Sequence, residues 1–104
     1  MRTLDIMKRY HTYILASDFN GTLYIGVTGD LPSRIKAHKE HAVKGFTDKY
    51  NVTKLVYLEV FETFRQAVER EKQLKKWKRS WKCSLIEQLN PQWEDLAEKD
   101  GYFL

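Results

Sequence analysis

An Asn-Gly pair at positions 20–21 separates two short runs rich in aromatic and aliphatic residues, Tyr10–Ala16 and Thr22–Thr28. Asn-Gly tolerates the positive φ that tight hairpin turns require, and runs of this composition read as strands. The chain is therefore expected to contain an antiparallel β-hairpin. In its simplest register Phe19 pairs with Thr22. That register puts Tyr13 and Tyr24 on one face of the ladder, four positions apart, or about 13 Å at the usual strand rise. A longer loop of the same parity keeps the face and shortens the separation.

Helical signals follow the hairpin. Asp30 stands where a cap accepts free amides, and Pro32 is tolerated in a first turn. Leu31, Ile35, His38 and Ala42 fall on one helical stripe. Gly45 ends or follows this helix, and Asp48–Thr53 reads as a polar loop. Lys54–Phe61 carries the strongest strand pattern in the chain. Thr63-Phe64-Arg65-Gln66 matches a capping box and opens a long helix reaching to about Ser80. Its inward stripe is Phe64, Ala67, Val68 and Leu74. A further helix, near Trp81–Leu89, stops at Asn90-Pro91. Gln92–Leu104 reads as a short ordered segment that frays. The order ββα, then β, then helices predicts an α/β (α+β) domain with a small sheet covered by helices.

At 104 residues the chain is expected to form a single domain. Hydrophobic residues at 42% and charged residues at 31%, with five Gly and two Pro, exclude a disordered or collagen-like chain. No stretch approaches the ~18 apolar residues of a membrane helix, and Met1–Tyr10 has no apolar core of a secretory signal. The single cysteine, Cys83, excludes an intramolecular disulfide and a multi-cysteine zinc site, and fits a reducing, cytoplasmic setting.

The formal net charge of +4 is modest, but its distribution is uneven. Lys72, Lys75, Lys76, Lys78, Arg79 and Lys82 occupy one stretch without an acid, and Trp77 and Trp81 interleave with them. Such a stretch suits a polyanion such as nucleic acid. The alternative is a solvated helix face whose tryptophans pack inward.

Polar residues also sit where periodicity expects apolar ones. Glu71 falls between Ala67 and Leu74 on the inward stripe of the long helix. A carboxylate there is partly desolvated and needs a partner, either a neighbouring Lys or Arg or a metal ion. Arg34 and His38 lie one turn apart and share a helix face.

These residues together resemble the GIY-YIG nuclease family. Thr12-Tyr13-Ile14 and Tyr24-Ile25-Gly26 are similar to its paired signature. The second half is intact, whereas His11-Thr12-Tyr13 keeps only the tyrosine of the first. Arg34-Ile35-Lys36-Ala37-His38 resembles the family's Arg-x-x-x-His helix, and Glu69-Arg70-Glu71-Lys72-Gln73-Leu74-Lys75 its Glu-bearing helix. Asn90-Pro91-Gln92-Trp93 resembles the ending of the small stand-alone bacterial branch. The resemblance runs from about Tyr10 to Leu96.

The resemblance implies a three-stranded antiparallel sheet with flanking helices, and a one-metal site for phosphodiester hydrolysis. Relatives in that family include the excision-repair incision subunit, which makes DNA the expected substrate and DNA repair one context. The carry-over names Tyr13, Tyr24, Arg34, His38, Glu71 and Asn90 as site residues. Glu71 would hold Mg²⁺ or Mn²⁺, since a hard cation of this kind takes few carboxylates and keeps several waters. Arg34 would contact phosphate oxygens. Tyr13 is assigned the general base, with Tyr24 as the competitor; a free phenol ionises near ~10 and needs help from positive charge. His38 would orient a tyrosine or relay its proton, and Asn90 would act indirectly by fixing the sheet or a loop. Two other readings remain: a nucleic-acid binding module that keeps the fold without cutting, and a protein-interaction domain.

Overall fold

The computed structural model describes residues 9–42 and 45–99. The expectations for Met1–Tyr10 and for the end of the Gln92–Leu104 segment fall largely outside those residues. Three strands, β1 (Tyr10–Ala16), β2 (Leu23–Thr28) and β3 (Lys54–Phe61), form an antiparallel sheet in the order β2-β1-β3. The helices are α1 (Leu31–Lys39), α2 (Phe46–Lys49), α3 (Phe64–Lys76), α4 (Arg79–Leu89) and α5 (Leu96–Lys99). No helix among the described residues is long and apolar enough to cross a membrane.

The sheet has two buried faces, as a strand's period of two requires when helices lie on both sides. On one face Ile14, Ala16, Ile25 and Val56 pack against Leu74 of α3, Ile86 of α4 and the fully buried Trp93. On the other, Tyr13, Leu15 and Leu55 pack against Leu31 and Ile35 of α1, with Val52 and Ala97. The Thr12 hydroxyl donates to the Ala67 carbonyl at 2.7 Å and ties β1 to α3.

The hairpin forms with a longer loop than the simplest register predicts. Ser17, not Phe19, is opposite Thr22: its amide donates to the Thr22 carbonyl at 3.0 Å and its Oγ accepts from the Thr22 amide at 2.9 Å. The Asp18 side chain accepts from the Phe19 amide, and the Gly21 amide closes the turn on the Asp18 carbonyl. Asn20 takes the expected positive φ, 54°. These bonds satisfy a four-residue loop internally and move the register by two, so parity is unchanged. Tyr13 and Tyr24 share a face as expected, but Tyr13 pairs with Gly26, and the two rings lie 6.4 Å apart rather than about 13 Å.

Three other boundaries differ. First, α1 ends at Lys39, so Ala42 lies beyond it and is exposed rather than on the buried stripe. Second, the segment expected as a loop from Asp48 contains the end of α2, which buries Thr47. Third, the long helix does not reach Ser80. Trp77 and Lys78 adopt extended dihedrals, which end α3 at Lys76 and restart the chain as α4 at Arg79. The break lets Trp77 pack against the core, with the Arg70 guanidinium 5.2 Å from its ring. Phe64, placed on the inward stripe, is exposed at the first turn of α3, while Ala67 and Leu74 are buried as expected. The Asp30 cap and the Thr63–Gln66 capping box are both present.

Opposite Ile14 and Leu15, β3 carries a bulge in which Val56 is the extra residue. The bulge frees the Val56 carbonyl from the ladder, and the buried Asn90 takes it up, donating from Nδ2 at 3.0 Å. Asn90 also donates to the Glu94 carbonyl and accepts from the Glu94 amide. It thereby fastens the turn after α4, which seats Trp93, to the middle of the sheet.

Candidate active site on the open edge of β2

Among the described residues β2 has a strand neighbour on one side only. Its other side is open, and α1 and α3 approach it from opposite faces of the sheet. A groove of about 370 Å³ runs along this edge. Tyr24 and Phe46 line it from the α1 face, Lys75 and Lys82 from the α3 and α4 side, and Leu23 and Ile25 between them.

Tyr13 is the buried anchor of the site. Its ring crosses the backbone of Gly26, and its hydroxyl lies 3.2 Å from His38 Nε2. The other imidazole nitrogen, Nδ1, lies 3.1 Å from the Thr47 hydroxyl. His38 therefore joins β1 to α2 with both ring nitrogens occupied. Burial first, and the nearby Arg34 charge second, lower its pKa from 6.5, so the neutral imidazole is favoured. The Tyr24 ring packs on the same imidazole, with centroids 5.6 Å apart, but it is only half-buried and faces the groove.

The charges that converge here come from both faces. Burial is the main cause of a strong rise in the Tyr13 pKa. The neighbouring Tyr24 and Glu71 raise it further, and Arg34 lowers it. Glu71 on α3 and Arg34 on α1 thus both act on one phenol, although the sheet separates their helices. Arg34 is exposed and makes no ion pair among the described residues. Glu71 is mostly covered and pairs with the more exposed Lys75 one turn on, at 3.2 Å. Its neighbour Glu69 points to solvent, paired with Arg65.

Tyr13, Tyr24 and His38 meet in ring contacts and the Tyr13–His38 hydrogen bond, and Arg34 and Glu71 lie within electrostatic reach of Tyr13. Asn90 does not join them; its bonds run to β3 and to Glu94. The basic stretch is likewise divided. Lys75 and Lys82 line the groove, and Lys72 and Lys76 are exposed on α3. The Lys78 ammonium sits 5.2 Å from the Trp81 ring. Arg79 folds back onto the hairpin loop, donating to the carbonyls of Gly21 at 2.6 Å and Asn20 at 2.8 Å. The break after Lys76 is what divides them.

Two neighbours of the site were not singled out in the sequence. Thr47 completes the His38 chain, and Phe46 stacks on Tyr24 with centroids 6.3 Å apart. Both belong to the short α2, whose four residues are too few to show a period. In the sequence Gly26 stands out only as a letter of the signature. Its function is steric, since the Tyr13 ring occupies the space a side chain would fill.

Residues 9–84 match the family described as the GIY-YIG catalytic domain, and the chain belongs to that family. Its relatives include a UPF0213 protein of Clostridium perfringens, 41% identical over 73% of this chain and 81% of the relative. Another is a UPF0213 protein of Bacillus pumilus, 32% identical over 79% of this chain and 84% of that one. The solution NMR structure of a UPF0213 protein from Bacillus halodurans superposes with a TM-score of 0.53 at 26% identity, covering 86% of this chain and 95% of that one. The chain is thus similar to UPF0213 proteins in sequence and, in the Bacillus halodurans case, in fold.

Proposed function

We propose that this domain is a metal-dependent endonuclease that hydrolyses phosphodiester bonds in nucleic acid, with DNA as the expected substrate, at the open edge of β2. The observation that carries this reading is the packing of Tyr13 and Tyr24 on the one His38 imidazole, beside a groove lined by Lys75 and Lys82 and within electrostatic reach of Arg34 and Glu71. A carboxylate able to hold a cation, a guanidinium and a groove lined with lysines are the groups a phosphodiester substrate calls for.

The donor set fits a hard divalent cation. Glu71 offers oxygen ligands, is partly withdrawn from solvent, and among the described residues has only the flexible Lys75 ammonium as its ion-pair partner. Among the described residues no three His, Cys, Asp or Glu side chains gather into a cage. A single carboxylate suits Mg²⁺ or Mn²⁺, whose remaining positions are filled by water and phosphate. Glu71 would hold such an ion, which would supply charge relief to the phosphate and the leaving oxygen. The Lys75 ammonium, now paired with Glu71, lines the groove and could then turn to the nucleic-acid backbone.

The protein's own groups divide the remaining work. Arg34 donates to the non-bridging phosphate oxygens, and this contact strengthens as negative charge accumulates there. The proton of the attacking water goes to a tyrosine phenolate, which has first released its own proton to solvent and becomes the neutral phenol in the step. The sequence points to Tyr13 for that duty, but its burial makes the phenolate costly and keeps solvent away. Tyr24, half-buried with its ring lining the groove, is the better-placed base. Tyr13 and His38 then serve as positioning residues that hold the Tyr24 ring from behind.

The test is a panel of labelled single strands, duplexes, flaps and branched substrates with Mg²⁺ or Mn²⁺, an EDTA control and the Glu71→Ala variant. Cutting by the intact chain that EDTA abolishes, and that Glu71→Ala lowers by at least about 100-fold with an unchanged circular dichroism spectrum, is expected. Undiminished cutting by Glu71→Ala would sink the assignment. Binding without cutting on every substrate would favour a non-catalytic module.

A further inference from the structure

The groove wall contributed by α2 carries more apolar surface than the fold uses. Phe46 and Tyr50 are each 47% exposed, and their ring centroids lie 4.8 Å apart. Phe46 is stacked on Tyr24 at an interplanar angle of 27°, and the Lys49 ammonium sits 5.4 Å from the Tyr50 ring. The rings thus form a continuous series, Tyr24–Phe46–Tyr50. It leads from the groove out to the surface and ends beside a cation. The helix that carries it is held from beneath by the Thr47–His38 contact, so the rings are mounted on a fixed support. Opposite them, across the groove, stand Lys75 and Lys82.

Aromatic rings beside a basic groove match what a single nucleic-acid strand presents: phosphates for the cations and free base faces for the rings. A duplex presents its phosphates but keeps its base faces stacked inside. We propose that Phe46 and Tyr50 form a stacking seat for unpaired bases next to the phosphate held in the groove, so that this domain engages single-stranded or frayed nucleic acid in preference to intact duplex. The inference rests on the reading of the groove as a phosphodiester site and adds to it the form of the substrate. Lys75 and Lys82 hold the strand's phosphates, while Phe46 receives the base nearest Tyr24 and Tyr50 the next one outward.

The test measures binding, not cutting. Fluorescently labelled single strands and duplexes of DNA and of RNA, matched in length, are titrated with the intact chain and its variants in EDTA. Single strands of one or both sugars are expected to bind more tightly than the matching duplex. Phe46→Ala and Tyr50→Ala should each weaken single-strand binding by about 5- to 100-fold, the range that loss of one stacked ring produces. Both should leave duplex binding within about twofold. Tyr50→Phe, which keeps the ring and loses the hydroxyl, should restore single-strand affinity and guards against a folding defect at Tyr50. Unchanged single-strand binding in both alanine variants, an equal loss on duplex, or a duplex preference in the intact chain would overturn the seat. Capture of a protein with no difference between strands would do the same. If Glu71-dependent cutting persists while these binding results fail, the seat alone is lost. If the binding results hold while Glu71→Ala cuts normally, the catalytic reading is lost.

Discussion

The Tyr13 phenol lies across the backbone of Gly26, its partner in the ladder, so closely that a β-carbon at position 26 would come within 2.4 Å of the phenolic oxygen. The ring cannot retreat freely, because it is buried among Leu15, Leu31 and Ile35 and its hydroxyl is matched to His38. Gly26→Ala is therefore expected to destabilise the fold by about 1–3 kcal/mol, as overpacking does, and to separate Tyr13 from His38. Urea denaturation gives the first quantity, and an upward shift in the NMR titration of His38 reports its release. A variant as stable as the parent would show that the ring has room to move.

His38 also makes stability depend on pH. Burial and the Arg34 charge lower its folded pKa, so the unfolded chain takes up the proton more readily. Stability must then rise with pH in this range. The contribution is complete above the unfolded value of 6.5 and is lost progressively as pH falls through it toward the folded value. His11, whose pKa burial also lowers, adds a term of the same sign. Between about pH 7 and pH 5 the urea midpoint should fall, and His38→Gln should flatten that dependence. An unaltered slope in His38→Gln would show that this imidazole contributes nothing to it.

These relationships differ in how plainly the sequence announces them. Strand alternation, the Asp30 cap and the Thr63–Gln66 box act over a few residues, and β1, β3 and the starts of α1 and α3 are found where those signals stand. The shared face of Tyr13 and Tyr24 is a matter of parity and survives the longer loop; their distance depends on bonds made by Ser17 and Asp18 that composition does not reveal. The end of α3 at Lys76 carries no Gly or Pro, because the break comes from Trp77 packing into a core built by distant strands. The approach of Arg34 and Glu71 to one phenol follows from helices on opposite faces reaching the same open strand. No spacing along the chain encodes that meeting. Their grouping is what the family resemblance implies.

Arg34 acts on the site through its charge, which can be measured with and without substrate. Arg34→Ala should lower kcat by about 100- to 1000-fold, the scale for losing one donor to a transition state, while changing KM much less. Since the guanidinium depresses the His38 pKa, the same variant should move the His38 titration upward. A change confined to KM would make Arg34 a docking residue. An unmoved His38 would place its charge farther off than the electrostatics indicate.

Asn90 is expected to separate stability from chemistry. Asn90→Ala leaves the Val56 carbonyl at the bulge and the Glu94 groups without their partner inside the fold. Buried polar groups left in this state cost about 1–3 kcal/mol each, so a loss of several kcal/mol is expected. The folded fraction should retain its kcat to within about threefold, because Asn90 is not among the side chains gathered at the β2 edge. Chemical denaturation and active-fraction assays at low temperature measure the two. A kcat loss comparable to that of Glu71→Ala would return Asn90 to the reacting centre.

The basic stretch should divide into two functions under salt titration. A lysine that neutralises a phosphate contributes close to one unit to the slope of log K against log salt on duplex, and somewhat less on a single strand. Lys82→Ala, at the groove, should lower that slope by about 0.7 to 0.9. Arg79→Ala should scarcely change it, because the Arg79 guanidinium is already engaged by the carbonyls of Asn20 and Gly21. Its loss should instead speed amide exchange in the hairpin loop. If Arg79→Ala lowers the slope as much as Lys82→Ala does, the guanidinium leaves the loop for phosphate when nucleic acid binds, and the two residues belong to one surface.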